Sequence, residues 1–220
     1  METGILLGID TCGAMGSIAL SRLQNGALEL LGEKAIPGGE LSVFLVQGIA
    51  DLLAEAGIAV RDLGGITAVA GPGSFTGIRV GLAAVKGLAE AVNLPVVTVS
   101  RLALLADSAQ APCAVLDAHR GQFYCGMYGS SEAREMLLTA GEINTMGGLT
   151  GKVAVCEETV AQLLEELYGE PELIRVRPPG AAAALSFSLS KWRAGESADV
   201  ASLDGYYLRG ADAKVSSRVG

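Results

Sequence analysis

The chain has 220 residues, half of them hydrophobic and 18% charged, with 24 acidic against 16 basic side chains and a formal net charge of -8. That composition supports a sizeable core and excludes wholesale disorder, and the length suits one large domain or two small ones. The acidic balance, with no Lys/Arg cluster to interrupt it, argues against a surface that grips nucleic acid phosphates by itself. Mean hydropathy is +0.42, yet no uncharged run reaches the ~18 apolar residues of a membrane span. The excess points either to a covered partner surface or to a core rich in Ala, Val and Leu.

The start, "METGILLGID", has no basic region and no long apolar stretch, so no leader is expected there. "ILLGID", "GSIALSRL" and "ALELLGEKAI" read as three strands of an antiparallel meander, the last two separated by the turn-like "QNG". Residues 40–56 read as a helix ended by Gly57. A strand, "GITAVAG", leads into the loop "GPGSFTGIR" and a second helix over 76–92. "PVVTV" is a buried strand, and Ser100 is placed to cap a third helix.

"CAVLDAHRGQFYCGMYG" echoes the N-terminal "LLGIDTCGAMGSIALSR": an apolar strand ending in Asp (Asp117, Asp10), a glycine-containing turn, then another strand. This is the mark of an internal duplication. The remainder alternates, with "KVAVC" a strand, "EETVAQLLEELYG" an acidic amphipathic helix, "LIRV" a strand and 180–195 a helix. Such alternation specifies an α/β fold. The polar tail, 210–220, is expected to be mobile.

The glycine loop departs from both phosphate-binding patterns. Ile78 stands where a Walker loop needs Lys, the glycine spacing is not that of a dinucleotide fingerprint, and Pro72 removes a donor. Spacing therefore favours turn geometry and close packing over phosphate binding, with Ser74 or Thr76 capping the next helix. Asp10 and Asp117 could hold Mg²⁺ on a nucleotide, or each could close an Asx-type turn. Ser74, Ser100 and Cys12 are conceivable nucleophiles, with His119 the one histidine able to serve as base. That single histidine, and four cysteines (Cys12, Cys113, Cys125, Cys156) without a C-x-x-C pair, argue against a zinc site and for reduced thiols.

Two helices carry too little polar surface. In 76–92 the charges Arg79, Lys86 and Glu90 fall on one narrow line, and within 41–53 only Ser42, Gln47 and Asp51 are polar. A sheet covers one side of a helix, so a second cover is needed, and a partner subunit is favoured over another element of this chain.

"ILLGIDT", "GSIAL", "AGPGSFTGIRVGLAAVKGLA", "PVVTVSRLALLA", "LDAHRGQFYCGMY" and "YYLRG", in that order, resemble the TsaB (YeaZ) family, over most of residues 4–130 with a short echo at 204–210. The resemblance implies an actin/Hsp70/sugar-kinase-like (ASKHA) fold of two related lobes, the second abbreviated, taken here as 1–105 and 106–220. It implies a non-catalytic scaffold in the making of N6-threonylcarbamoyladenosine at position 37 of tRNA. The scaffold would support a TsaD-like transferase, with a TsaE-like ATPase joining and a homodimer forming when alone. The chain would be cytoplasmic, off the membrane, and would meet tRNA only indirectly. No intrinsic cofactor is implied; ATP and Mg²⁺ serve the complex and could bind near the subunit junction. A nucleotide near the lobe turns would meet Asp10, Thr11, Gly73 and Ser74. The family's contact surface is the helical face of the first lobe, where Leu41, Phe44, Leu45, Gly48, Arg79, Leu82, Val85 and Lys86 are expected. Relatives often carry a histidine at the first helix start, where this chain has Leu41. The competing expectation is a small actin-like ATPase or kinase using Asp10 and Asp117 around Mg-ATP.

Overall fold

Two sheets, each begun by an antiparallel hairpin, organise the computed structural model, which describes residues 3–129, 132–145, 149, 151–169 and 172–209. In the first, β1 (Gly4–Asp10), β2 (Met15–Gln24) and β3 (Ala27–Pro37) form the expected meander. β4 (Leu63–Val69) and β5 (Val96–Val99) add in parallel beyond β1, giving the order β3-β2-β1-β4-β5. Parallel neighbours require crossovers, and α1 (Leu41–Glu55) and α2 (Phe75–Val92) supply them. β1 is an unbroken apolar run because both its faces are buried: Leu7 and Ile9 pack in the α1/α2 core, Leu6 in a separate cluster on the opposite face.

The second half repeats this plan. β6 (Cys113–Asp117), β7 (Gln122–Met127), β8 (Arg134–Thr139), α4 (Ala140–Thr145), β9 (Val153–Val155), α5 (Glu158–Tyr168) and β10 (Leu173–Arg175) form a sheet ordered β10-β9-β6-β7-β8. With α3 (Arg101–Ala109) after β5 and α6 (Ala181–Phe187) after β10, each half runs β-β-β-α-β-α-β-α. The echo between the two Asp hairpins thus extends to the whole unit, and the fold is the expected two-lobed α/β type. β8 and α4 had no sequence signal: Arg134 and Glu135 open the strand, and the helix is six residues long.

The helix after each fifth strand covers the other sheet. Leu102, Leu105 and Ala106 of α3 pack with Ala114, Leu116 and Ala154 of the second sheet. Ala181 and Leu185 of α6 pack with Leu6, Ala19, Leu23 and Val97 of the first. The single helix expected over 180–195 is two, α6 and α7 (Leu189–Ala194). The break is at Ser188, whose buried hydroxyl bonds to Leu185 O and lies 2.9 Å from Thr67 Oγ1. Trp192 of α7 is buried, its ring filling the space over Gly65 and its Nε1 donating to Thr67 Oγ1 at 2.9 Å.

Beyond α7 the chain returns across both lobes. Ala198 N donates to Val96 O, Tyr206 N donates to Ala70 O, and the Arg209 guanidinium donates to Ala118 O and Gln122 Oε1. The tail at 210–220 lies outside the described residues. No helix among the described residues is long and apolar enough to cross a membrane.

Trp192 is the one tryptophan, so its fluorescence reports the docking of α7. Trp192→Phe removes the indole donor and part of the ring volume, and should cost about 1–3 kcal/mol in urea unfolding followed by circular dichroism. Unchanged stability would show that α7 does not hold the first sheet.

Candidate functional site

The glycine loop is shaped by the end of β1. A Cβ on Gly73, Gly77 or Gly81 would stand 2.2 Å from Cys12 O, 2.0 Å from Thr11 O and 2.2 Å from Thr11 Oγ1, respectively. Spaced four apart, the three form a slot into which the Thr11–Cys12 backbone fits. Thr11 Oγ1 donates to Gly77 O at 2.7 Å, and Ser74 N donates to Cys12 O at 2.9 Å. Ser74, rather than Thr76, caps α2 by accepting from Gly77 N. Two donors that a phosphate would use, Ser74 N and Gly77 N, are therefore engaged inside the chain.

The two aspartates occupy equivalent strand ends in different surroundings. Asp10 is 5% exposed, and its Oδ1 accepts from Cys12 N at 2.9 Å. Burial pushes its carboxyl above the usual aspartate range; the Arg101 guanidinium and the Cys12 N–H pull the other way and do not prevail. Asp117 is partly exposed and takes His119 N at 2.6 Å and His119 Nδ1 at 2.9 Å. Between them runs a polar chain across the lobes: Arg101, itself buried, lies 3.8 Å from Glu157 Oε1, and Glu157 Oε2 accepts from Asp117 N at 2.9 Å.

The conceivable nucleophiles have structural duties. Ser74 and Ser100 cap α2 and α3. Cys12 Sγ donates to Val69 O, and burial raises its thiol well above the ordinary cysteine value. Burial also pushes Cys156 up to about 11 and Cys125 up to about 12. These thiols stay protonated near neutral pH, which makes them poor nucleophiles. Among the described residues no three His, Cys, Asp or Glu side chains come together as a metal-ligand set.

A cleft of about 910 Å³ opens between the lobes. Gly73 and Ser74 line it with Phe75 and Arg79 from α2, Asp117, His119 and Arg120 from the β6–β7 turn, and Tyr206, Tyr207 and Arg209 from the returning chain. Asp10 and Thr11 are not on its wall; they are buried beside it.

The helical face divides sharply. Leu41, Leu45, Gly48, Leu82 and Val85 are buried within this chain's own core. Leu41 packs on Gly16. Phe44 is 43% exposed, Arg79 is exposed and Lys86 half-buried. Arg79 turns over the Phe75 ring, 3.8 Å from its centroid, beside the cleft. The apolar surface open to solvent is made by Val43 and Val46, 65% and 66% exposed, with Phe44 and Ala50 on α1 and Ala83 on the adjacent α2.

For Asp10 the sign of the pH effect follows from the raised carboxyl pKa. Its contribution is most favourable below the unfolded value of about 3.9 and is lost as pH rises through the higher folded value. Asp10→Asn keeps an acceptor for Cys12 N and removes the buried charge. Its stability relative to the parent should rise across that window and hold to neutral pH, read as urea midpoints from pH 3 to 8; a constant difference would mean that Asp10 is not buried as a charge.

Comparison with known proteins follows the same architecture. The family model of tRNA N6-adenosine threonylcarbamoyltransferase (TsaD) matches residues 40–189. The tRNA threonylcarbamoyladenosine biosynthesis protein TsaB of Bacillus subtilis is 34% identical over 129 residues, covering 56% of this chain and 54% of that one. Its Escherichia coli counterpart is 30% identical over 135 residues, 58% and 56% of the two chains. The chain thus spans about half the length of the curated relatives it matches. The solved structure of YeaZ from Pseudomonas aeruginosa superposes with a TM-score of 0.72 at 29% identity, covering 94% of this chain and all of that one. Sharing both the TsaD-type domain over 40–189 and the full course of a YeaZ structure, this chain belongs to the TsaB (YeaZ) family.

Proposed function

We propose that the chain is a scaffold subunit in the synthesis of N6-threonylcarbamoyladenosine at adenosine 37 of tRNA, with no catalysis of its own. It seats a TsaD-like transferase on the outer face of α1 and α2. The observation that carries this reading is the row Val43, Phe44 and Val46, apolar and exposed on a helix whose other side is fully packed. Exposed valines at this density cost hydration free energy that a partner surface recovers, about 25 cal/mol per Å² covered. The relatives' role in threonylcarbamoyladenosine biosynthesis supplies the pathway.

In this reading a second copy occupies the same face when the transferase is absent. ATP and Mg²⁺ enter with the partners, a TsaE-like ATPase among them, and tRNA is held by those partners, in keeping with the net charge of -8. The work takes place in the cytoplasm. An actin-like ATPase built on Asp10 and Asp117 finds less support, since Asp10 is buried beside the cleft and Asp117 is committed to His119.

Val46→Glu places a charge in the middle of the docking face, at a side chain that is 66% exposed. Light scattering should show the variant as a monomer that no longer joins a TsaD-like partner, with loss of at least about tenfold in affinity and an unchanged melting temperature. Retained one-to-one assembly with the transferase would remove this surface from the proposal.

A further inference from the structure

Among the described residues two buried side-chain atoms have no hydrogen-bond partner, Glu135 Oε2 and Arg209 Nε. Native chains leave few such atoms, because each forgoes the bond it would make to water. Both occur where one short segment, residues 204–209, meets the second lobe. Glu135 is on β8, and its Oε1 accepts from Tyr128 Oη at 2.6 Å. The Tyr206 phenol, whose pKa is raised by partial burial and by this carboxylate, stands beside it. Three residues on, one terminal nitrogen of Arg209 donates to Ala118 O at 2.8 Å, His119 O at 3.2 Å and Gln122 Oε1 at 2.8 Å. The turn held in this way is itself unfavourable. His119, Arg120 and Gly121 have φ of 58°, 57° and 74°, so two consecutive non-glycine residues are left-handed.

Little offsets these costs. Leu203 is the last buried residue; from Asp204 to Arg209 each is exposed or half-buried, and none belongs to a helix or strand. On the first lobe the segment is attached by Tyr206 N on Ala70 O at 2.8 Å, by the Tyr207 ring against Phe75 and by Gly205 over Ile78. Leu208 packs at the edge of the cluster formed by α3 and the second sheet.

We propose that residues 204–209 form a releasable strap, which undocks from both lobes as one unit while α3, α6 and both sheets stay packed. The turn at 118–121 relaxes in the same event, since Arg209 ties its carbonyls. Undocking hydrates Glu135 Oε2 and Arg209 Nε and takes Tyr206, Tyr207 and Arg209 off the cleft wall. It also bares Ile78 and Ala70 O. This is a sub-global opening of low free energy, distinct from a movement of one lobe against the other. A partner that binds the undocked form alone draws the chain toward it by that difference in affinity. The strap shares no residue with the Val43–Val46 face, so the two proposals stand or fall separately.

The test is hydrogen–deuterium exchange of the full chain, read by NMR at single amides in urea well below the unfolding midpoint. The probes are the Tyr206 amide, bonded to Ala70 O, and the Ala118 and Gln122 amides, bonded to Gln122 O and His119 O. All three should exchange through one opening, at least about 100-fold less protected than the amides of β1 and β6. Arg209→Ala should raise exchange at all three by about tenfold, leaving β1, β6 and the Trp192 fluorescence melt unchanged. Tyr206→Phe keeps the ring and the backbone bond and removes the hydroxyl beside Glu135. It should speed exchange in the 118–122 turn by the same factor as at residue 206, which independent fraying of two loops would not do. Tyr206 exchange that occurs only with global unfolding would overturn the proposal. So would either substitution acting on one site without the other, or an Arg209→Ala chain whose β1 and β6 lose protection, since the strap would then be a structural support.

Discussion

Thr11 and Cys12 lie directly on the first turns of α2, Thr11 O and Cys12 O against Gly77 and Gly73 and the small Thr11 side chain against Gly81, and the rest of the first lobe is built around that contact. Gly77 and Gly81 each cost a helix interior about 1 kcal/mol relative to alanine. The cost is offset locally. Ile78, Leu82 and Val85, on the same helix, are buried, each contributing about 1.5–3 kcal/mol. A helix drawn so close to the sheet also sets Ser74, Phe75 and Arg79 along one wall of the cleft. The loop that resembles a phosphate cradle is thus a packing device.

A second constraint makes the lobes interdependent. Each sheet receives one of its covering helices from the other half: α3 leaves the first lobe to pack on the second sheet, and α6 comes back to pack on the first. The Arg101–Glu157 pair and the returning segment from Ala198 to Arg209 join the same two bodies at other points. Relative motion of the lobes must therefore disturb buried apolar packing and polar links together, which favours two discrete arrangements over continuous flexing.

Much of this was legible in the sequence because the signals were local. The meander, the crossover helices, the Ser100 cap and the Asp-hairpin echo each depend on residues within a few positions of one another. What escaped depends on partners distant in the chain. α1 is apolar around its circumference, so periodicity could not tell that Leu45 and Leu52 turn inward while Val43 and Val46 turn out. The helix at 181–194 breaks at Ser188 because Thr67, far away in sequence, offers its hydroxyl a partner. Asp10 and Asp117 were visible as a pair, but the burial of one and the exposure of the other follow from Arg101 and from the lobe packing. The arginine cleft had no sequence signature, being assembled from positions 79, 101, 120 and 209.

The duplication is complete in order and unequal in substance, and the inequality bears on docking. α1 runs for 15 residues with valines outward, whereas its counterpart α4 has six, of which Ile143 alone is buried. The counterpart of α2, α5, turns Glu158 and Glu165 outward to Arg175 in ion pairs of 3.4 and 2.6 Å. α5 also leaves Leu163 and Leu167 exposed, so the first half keeps the longer and more apolar outer face and the second a mixed one. If a second copy and a transferase both use that longer face, they exclude each other, because a two-fold interface consumes the same patch on both molecules. Scaffold and homodimer become alternatives set by mass action, and the exchange requires no change in the fold of this chain.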